Sequence, residues 1–309
     1  MKKVIYLFWF TKKDHFNFGD DINPFIIESL SNKKVKRVMV FSKKKSIIFN
    51  FLKIIRGFFL GFYDNSVFIE YIRSLTHPDY VVCIGSILQN SFSKKAKIWG
   101  AGIIHKESFI QKSEFHAVRG LKTVERIKGL GYNFTGKIGD PALLLPLIYN
   151  PKIQESDTIG IIPHITHFEA TKSIFNNPEK YTLIDLSEND IEKTINAIKS
   201  CKYILSSSLH GLIVPHAYNI PALHMQLEGS LAGDGVKFLD YYSSVAIEEY
   251  KPISIPDSNT LNSDYFKDLF NQHNKNALPK KEIINQVQKD LLSVAPFELA
   301  DKYKSYITD

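Results

Sequence analysis

The sequence predicts an α/β fold built from two domains. Apolar runs of strand length alternate with amphipathic stretches of helical length along most of the chain. Residues 201–226 show this most clearly, because a strand, a helix and a second strand follow one another there. A polar, proline-containing stretch at residues 150–157 is typical of a linker, and 309 residues are enough for about two domains. We therefore expect domains at residues 1–150 and 151–309.

The apolar pattern also places the elements of each domain. In the first we expect strands at residues 2–10, 79–86, 97–103 and 114–118, and helices at 22–30 and 121–128. Asp20 or Asp21 is expected to cap the first helix. In the second we expect strands at 158–162, 181–185, 203–205 and 220–225, and helices at 191–200, 209–218 and 281–292. The first ten residues lead into a polar turn rather than a cleavage site, which favours a strand over a signal segment.

Composition limits the class of protein further. An apolar content of 44% is ordinary for a globular protein, and no apolar run reaches the length of a membrane span. Cys83 and Cys201 both lie in apolar, strand-like runs. We expect two buried free thiols rather than a disulfide framework or a zinc cluster.

The net charge of +7 is concentrated in one region. Residues 29–63 contain no Asp or Glu, although nine Lys and Arg residues fall there. This excess indicates an anionic partner, either a membrane surface or an acidic substrate, and no nucleic-acid-binding motif accompanies it. Residues 46–63 read as a helix whose polar stripe is narrow. Such a helix either packs in the core or lies in a membrane interface, and the basic residues beside it fit the second alternative.

The turn after the strand at residues 203–205 holds Ser206, Ser207, Ser208 and His210. In open α/β sheets such a turn lies at the carboxyl edge of the strands, where ligands bind. Free N–H groups and the positive helix end suit an anion, and histidine transfers protons near neutral pH. The alternative is that the serines only cap the helix.

Other polar residues also follow predicted strands. Arg119 ends the strand at 114–118, and Asn17 and Gly19 follow the first strand. His164 and His167 follow the first strand of the second domain, but no Cys or carboxylate lies at a spacing that would complete a metal site, so no metal is predicted.

Five short motifs, taken in order and with their intervals, resemble those of the polysaccharide pyruvyltransferases. The resemblance covers nearly the whole chain and is weakest at residues 33–77 and after Ser244. The motifs are Asn17-Phe-Gly19-Asp20, Trp99-Gly-Ala-Gly102, Val118-Arg119-Gly120 with Thr123, Gly139-Asp140-Pro141, and Ser207-Ser-Leu-His210-Gly211. The segment Lys237-Phe-Leu-Asp240-Tyr resembles members that act on galactose-type sugars.

The resemblance implies two Rossmann-like domains facing across a cleft, as in GT-B glycosyltransferases. The first domain, with its basic and apolar insertion at residues 33–63, would hold the acceptor, and the second, with the C-terminal helix, the donor. The donor would be phosphoenolpyruvate, used as a co-substrate without a further cofactor. The acceptor would be a sugar of a bacterial surface glycan, a capsule or exopolysaccharide, attached to a lipid diphosphate. The enzyme would then be cytoplasmic and peripheral on the inner face of the membrane.

The resemblance also implies roles for individual residues. His210 would be the general acid, and Arg119 would grip the donor carboxylate or phosphate in a two-pronged manner. Ser207, Ser208 and their N–H groups would hold the phosphate, and His164 would assist as an acid, a base or a donor contact. Asn17 and Asp20 would face the acceptor.

The chain departs from the family pattern at two positions. Ser208 stands where many members have Arg, so Lys237 or Arg119 would have to supply that charge, and Gly85-Ser86 replaces a glycine run. Two other functions therefore stay open. One is a GT-B glycosyltransferase that uses a nucleotide sugar, with Glu228 or Asp240 as the ribose partner. The other is an inactive module that binds anionic glycans.

Overall fold

The computed structural model describes residues 4–11, 16–40, 47–61, 65–76, 79–90, 92–227, 233–255 and 263–308. Two sheets dominate it, and every pair of neighbouring strands in both is parallel. The first sheet has the order β2-β1-β3-β4-β5-β6. Its strands are β1 (Val4–Phe8), β2 (Lys34–Arg37), β3 (Tyr80–Val82), β4 (Ala96–Trp99), β5 (Glu114–Val118) and β6 (Lys137–Ile138).

The second sheet repeats this plan with five strands in the order β11-β10-β9-β7-β8. Its strands are β7 (Ser156–Ile162), β8 (Tyr181–Leu183), β9 (Cys201–Ser206), β10 (Ala222–Gln226) and β11 (Ile253–Ser254). The two parallel sheets confirm the predicted α/β fold.

Helices lie in most of the connections between strands, although none is assigned among the described residues between β3 and β4 or between β4 and β5. In the first half they are α1 (Phe18–Ser31), α2 (Ile47–Phe59), α3 (Asn65–Thr76), α4 (Leu121–Gly129) and α5 (Leu145–Ile148), with a 3-10 helix at Pro141–Leu144. In the second half they are α6 (Phe168–Ile174), α7 (Ile191–Lys199), α8 (His210–Ala217), α9 (Val236–Ser244), α10 (Ser263–Gln272), α11 (Asn274–Ala277), α12 (Lys281–Ser293) and α13 (Asp301–Thr308), with a 3-10 helix at Ile165–His167.

The strand order creates a crevice at the carboxyl edge of each sheet. In both sheets the first strand lies between the second and the third, so the connections leave it in opposite directions. Ligands of open α/β sheets bind outside the strand ends at such a switch point. In the first sheet this point lies between β1 and β3, and in the second between β7 and β9. The loops with Asn17, Gly85, His164 and the serine turn all start there.

The last long helix returns to the first sheet. Trp99 of β4 donates its indole N–H to the carbonyl of Leu291 in α12 at 2.9 Å. Gln288 of α12 donates to the carbonyl of Leu143 at 2.7 Å, and all four of these residues are buried. The predicted helix at residues 281–292 is therefore present, and it covers strands of the first half. The division at residue 150 stays a prediction.

Two expectations need correction. Helix α1 begins at Phe18, and its cap is Asn17, whose side-chain oxygen accepts from the N–H of Gly19 at 3.2 Å; neither Asp20 nor Asp21 is the cap.

The predicted helix at 46–63 is present as α2, but several of its apolar side chains are exposed, so packing in the core is not its role. The basic residues 43–45 lie outside the described part of the chain. Both cysteines are buried free thiols, as predicted.

Candidate active site

The serine turn between β9 and α8 is tightly bonded to the end of β7. Ser206 donates its hydroxyl to the carbonyl of Ile162 at 2.7 Å, and Ser207 donates its N–H to the same carbonyl at 3.2 Å. The hydroxyl of Ser207 accepts from the N–H of His164 at 2.9 Å, and the N–H of Ser208 bonds to the Ser206 oxygen at 2.9 Å. The turn is therefore rigid.

These bonds change which donors are free for an anion. The N–H groups predicted to hold phosphate, those of Ser207 and Ser208, already have acceptors inside the protein. The N–H groups of Leu209 and His210, at the start of α8, have no acceptor among the described residues. An anion at this helix end would bind those two groups instead.

His210 lies where the two halves meet. Its ring packs so closely on α1 that a Cβ on Gly19 would stand 2.2 Å from Nδ1. On the other side of the ring, Nε2 is 3.9 Å from Oδ2 of Asp140, which belongs to the first half. Both atoms are buried and have no hydrogen-bond partner among the described residues. Asp140 is otherwise fixed, because its Oδ1 caps the 3-10 helix at the N–H of Ala142 at 3.0 Å.

The electrostatics of this pair favour its uncharged forms. Burial, with the positive charges of Arg119 and Lys237, lowers the pKa of His210 to about 3. Burial raises the pKa of Asp140 to about 6. A neutral imidazole is a proton acceptor, so the general-acid role predicted for His210 requires a bound anion to raise its pKa.

Arg119 is buried and already paired. Its Nε and Nη2 both lie 3.0 Å from Oδ2 of Asp240, and Nη1 and Nη2 donate to Ser86 Oγ and the Ile103 carbonyl, both at 2.7 Å. The residue has no exposed surface. A direct two-pronged grip on the donor, as the sequence predicted, is not available to it. Its charge nevertheless lowers the pKa of Lys237 and of His210.

Asp240 is the residue that holds Arg119 across the two halves. Its carboxylate also accepts from the N–H of Thr123 at 2.8 Å and from the hydroxyl of Thr123 at 2.7 Å. With these bonds and no exposure, it cannot bind a nucleotide ribose, as one alternative supposed. Glu228, the other residue named for that role, lies outside the described residues.

Lys237 is the cation that stands open to a ligand. It lies near the start of α9, half-buried, and within the described part of the chain its ammonium has no carboxylate or carbonyl partner. It lines a cavity of about 350 Å³ in the second half, together with Ser207, His167, His224 and Tyr250. Burial, followed by the charge of Arg119, lowers the pKa of Lys237.

Histidines surround this lysine. Burial lowers the pKa of His164 and of His224 to about 4, and the charge of Lys237 contributes to both shifts. The ring of His224 stacks on Phe238 at a centroid distance of 3.8 Å, and Nδ1 of His164 lies 2.9 Å from the Thr166 hydroxyl. The cavity lining also includes the carboxylate of Asp234, which accepts from the N–H groups of Lys106 and Val236 and is not paired with Lys237.

Asn17 is the cap of α1, and Asp20 lies in the first turn of that helix beside Gly19, which contacts His210. The amide of Asn17 donates to Oδ2 of Asp20 at 2.9 Å, while its oxygen caps α1. Burial and the neighbouring Asp21 raise the pKa of Asp20 to about 7. A carboxyl group that titrates near neutrality suits proton exchange with a sugar hydroxyl.

The structure thus joins most of the predicted residues into one region, in two parts. The cavity holds Ser207 and Lys237, and His210 lies at the junction of the halves, outside the cavity lining. Sequence reasoning missed Asp140 as the neighbour of His210 and Asp240 as the partner of Arg119. The cavity residues His167, His224 and Tyr250 carried no sequence signal beyond their position near strand ends.

Fold and site together define an α/β protein with a pocket at the carboxyl edge of its second parallel sheet, whose lining includes Lys237, two histidines and Ser207. The family model for polysaccharide pyruvyl transferase matches residues 9–227, which is more than half of the chain. The chain belongs to this family, as its motifs predicted. Membership supports a pyruvyltransferase role in polysaccharide synthesis.

Two individual proteins are also similar. "Uncharacterized protein L143" of Acanthamoeba polyphaga mimivirus is 27% identical over 274 residues, which cover 86% of this chain and 83% of the relative. The solved structure of E. coli heptosyltransferase WaaC with ADP-2-deoxy-2-fluoro heptose covers 87% of this chain and 99% of its own. It does so at 11% identity and a TM-score of 0.37.

Proposed function

We propose that the protein transfers the enolpyruvyl group of phosphoenolpyruvate to two hydroxyls of a sugar, forming a pyruvate ketal and releasing phosphate. The observation that carries this proposal is the ammonium of Lys237, which lies in a cavity beside the serine turn without a carboxylate partner among the described residues. A small donor with a phosphate and a carboxylate matches such a site in charge and size.

The reaction balances with proton transfers alone. One sugar oxygen bonds to the central carbon of the donor while the methylene carbon takes a proton and becomes a methyl group. The second sugar oxygen bonds to the same carbon as the bond to phosphate breaks. Of the two hydroxyl protons, one replaces the proton given to the methyl group and the other leaves with phosphate. The site must therefore bind anions, deliver one proton and accept two.

The described residues supply these functions in our proposal. Lys237 and the N–H groups of Leu209 and His210 bind the donor anion, and Ser207 contributes its hydroxyl. Anion binding beside His210 raises the pKa of its imidazole, so that the ring can carry the proton for the methylene carbon. Asp20 accepts a proton from the acceptor sugar. Arg119 acts through its charge and through its bond to Asp240 rather than by touching the donor.

The acceptor side of the proposal rests on the family and on composition. We propose a sugar of a bacterial capsule or exopolysaccharide, of galactose type, carried on a lipid diphosphate at the inner face of the cytoplasmic membrane. The basic stretch at residues 29–63 supports an anionic surface as neighbour. Among the described residues, no helix is both long enough and apolar enough to span a bilayer.

Two variants test the donor site. His210→Ala is expected to lower the rate of phosphate release from phosphoenolpyruvate by on the order of a hundredfold or more. Lys237→Met is expected to weaken donor affinity by on the order of tenfold to a hundredfold, measured as the thermal shift that phosphoenolpyruvate induces. Lys281→Met, at the exposed start of α12, is the matched control.

Mass spectrometry of candidate lipid-linked sugars gives the product directly. Exposure to enzyme and phosphoenolpyruvate should add the mass of the pyruvate ketal. Full turnover by His210→Ala, or phosphate release with nucleotide sugars and none with phosphoenolpyruvate, would contradict the proposal. A phosphoenolpyruvate-dependent thermal shift without product on any glycan would indicate a binding module instead.

A further inference from the structure

Helices α2 and α3 carry most of the exposed apolar surface of the protein. Thirteen large apolar side chains are exposed within the described residues, and nine of them lie on these two helices or just after α2. We name this set the apolar face: Phe51, Leu52, Phe58, Phe59, Leu60, Phe68, Ile69, Ile72 and Leu75. Phe59 is 81% exposed. Scattered apolar residues need no explanation, but a contiguous set on two paired helices marks an interaction site.

The two helices form a unit with an inner and an outer side. Ile54 of α2 and Tyr71 of α3 are buried, and the Phe51 and Tyr71 rings pack at a centroid distance of 6.1 Å. Among the side chains that the structure describes on α2 and α3, Ile54 and Tyr71 are the large apolar ones in the buried core. The apolar face therefore needs a partner outside the described part of the chain.

The pair is held in a fixed position at the end of β2. Arg37 forms an ion pair with Glu70 of α3 at 3.1 Å, and the N–H of Met39 donates to the Ser74 hydroxyl at 2.6 Å. Arg73 donates to the carbonyl of Arg37 at 2.7 Å. Because β2 runs parallel to β1, this attachment is at the carboxyl edge of the first sheet, the edge at which α1 begins with Asp20 in its first turn.

The charged side chains of α2 are positive, and Glu70 of α3 is paired with Arg37. Lys53 and Arg56 are exposed on α2, and neither has a carboxylate partner in the described ranges. The sequence has no Asp or Glu between residues 29 and 63. Apolar side chains that include several phenylalanines, flanked by cations, suit a bilayer surface rich in anionic headgroups.

We infer that the α2–α3 pair inserts its apolar face into one leaflet of an anionic lipid bilayer. Insertion buries the nine side chains among acyl chains and sets Lys53 and Arg56 against the headgroups. It also holds the carboxyl edge of the first sheet near the surface from which a lipid-linked sugar would be presented. That last consequence rests on the proposed function, whereas bilayer binding does not.

Vesicle flotation with the full chain tests the inference. The probes are vesicles of phosphatidylcholine alone and vesicles that also contain phosphatidylglycerol. We expect stronger binding to the second kind. The double variant Phe58→Ser/Phe59→Ser should bind at least tenfold more weakly, because each buried phenylalanine contributes about 1.5–3 kcal/mol. Phe109→Ser is the matched control, since Phe109 is 63% exposed but lies outside the apolar face.

The charges are tested separately. Lys53→Gln/Arg56→Gln should lose about tenfold or more in binding to phosphatidylglycerol vesicles and little to phosphatidylcholine vesicles. If the phenylalanine variant does not fold, Ile69→Ser on α3 replaces it, because that side chain is 54% exposed.

Three outcomes would overturn the inference. The first is vesicle binding that the phenylalanine variant does not weaken, and the second is no binding to either kind of vesicle. The third is a dimer in sedimentation velocity that Phe58→Ser/Phe59→Ser dissociates, since a second copy would then cover the apolar face. Phosphate release from phosphoenolpyruvate with a soluble sugar should stay at the wild-type rate in every one of these variants. If the wild-type protein itself releases no phosphate from phosphoenolpyruvate, the proposed reaction is wrong, but the inference of bilayer binding is unaffected.

Discussion

The contact between Gly19 and His210 leads to a sharp test of how the site is assembled. In Gly19→Ala, the new methyl group would stand 2.2 Å from His210 Nδ1, whereas ordinary van der Waals contact begins at 3.4 Å. The ring or the start of α1 must therefore move by more than 1 Å. A displacement of about 1 Å in a catalytic group costs on the order of a hundredfold in rate. We expect a loss of that size in phosphate release from phosphoenolpyruvate.

The effect on stability has a definite sign as well. Alanine is favoured over glycine in a helix by about 1 kcal/mol. If there were space for the methyl group, Gly19→Ala would therefore raise the free energy of unfolding. Overpacking costs about 1–3 kcal/mol, and the clash with His210 should outweigh the helix preference. Gly129→Ala is the control, because Gly129 is in α4 and its Cβ would meet nothing within 4 Å.

A double-mutant cycle separates this contact from other effects of the methyl group. In a His210→Ala background the clash is gone, so Gly19→Ala should cost less free energy of unfolding than it does alone, by about 1–3 kcal/mol. Urea denaturation measures all four proteins and requires no activity. The proposed placement of the His210 ring would be refuted if Gly19→Ala lowered the free energy of unfolding equally with and without His210→Ala. It would also be refuted if Gly19→Ala released phosphate at the wild-type rate.

Two further predictions concern buried charge. Asp240→Asn leaves the buried guanidinium of Arg119 without its counter-ion and should lower the free energy of unfolding by about 3–5 kcal/mol; urea denaturation measures it. The surface change Asp301→Asn is the control and should have little effect. The raised pKa of Asp20 means that the folded state binds the proton more tightly than the unfolded state, so stability is lost as the pH rises from about 4 through about 7. Asp20→Asn should remove the contribution of this carboxyl, so the difference in urea midpoint between variant and wild type should change across that window; a difference that stays constant with pH would exclude Asp20 as a source of the loss.

Much of the fold could be predicted because parallel strands are buried on both faces. Strand β3 and the second half of β7 appear in the sequence as short apolar runs, and the turns after them hold Ser86 and His164. Strand β2, with the sequence KVKR, was not predicted. It is an edge strand whose lysines stay exposed, so it carries no apolar run. Helix α3 was missed for a related reason, since much of its apolar surface is unburied.

The pairings inside the site could not be predicted, because they join distant parts of the chain. Arg119 and Asp240 are 121 residues apart, and nothing local distinguishes a buried arginine from one that is open to a ligand. The sequence correctly places Arg119 at the end of a strand. Whether Arg119 can bind phosphoenolpyruvate depends on whether other protein groups already accept hydrogen bonds from its guanidinium, and the sequence does not show this. The same holds for the N–H groups of the serine turn, which β7 and Ser206 use.

Several of the short motifs contain residues that contact each other where the two halves of the chain meet. Gly19 of the first motif allows the imidazole of His210 in the last motif to approach the backbone. Gly120 does the same for Asp240, since a Cβ there would lie 1.7 Å from the Asp240 carbonyl oxygen. Asp140 then faces His210 from below the first sheet's edge, at 3.9 Å. Each motif thus specifies one side of a contact whose other side lies far along the chain. The residues that look catalytic in the sequence therefore differ in their surroundings: Arg119 is bonded to Asp240 across the two halves, whereas the ammonium of Lys237 has no carboxylate partner among the described residues.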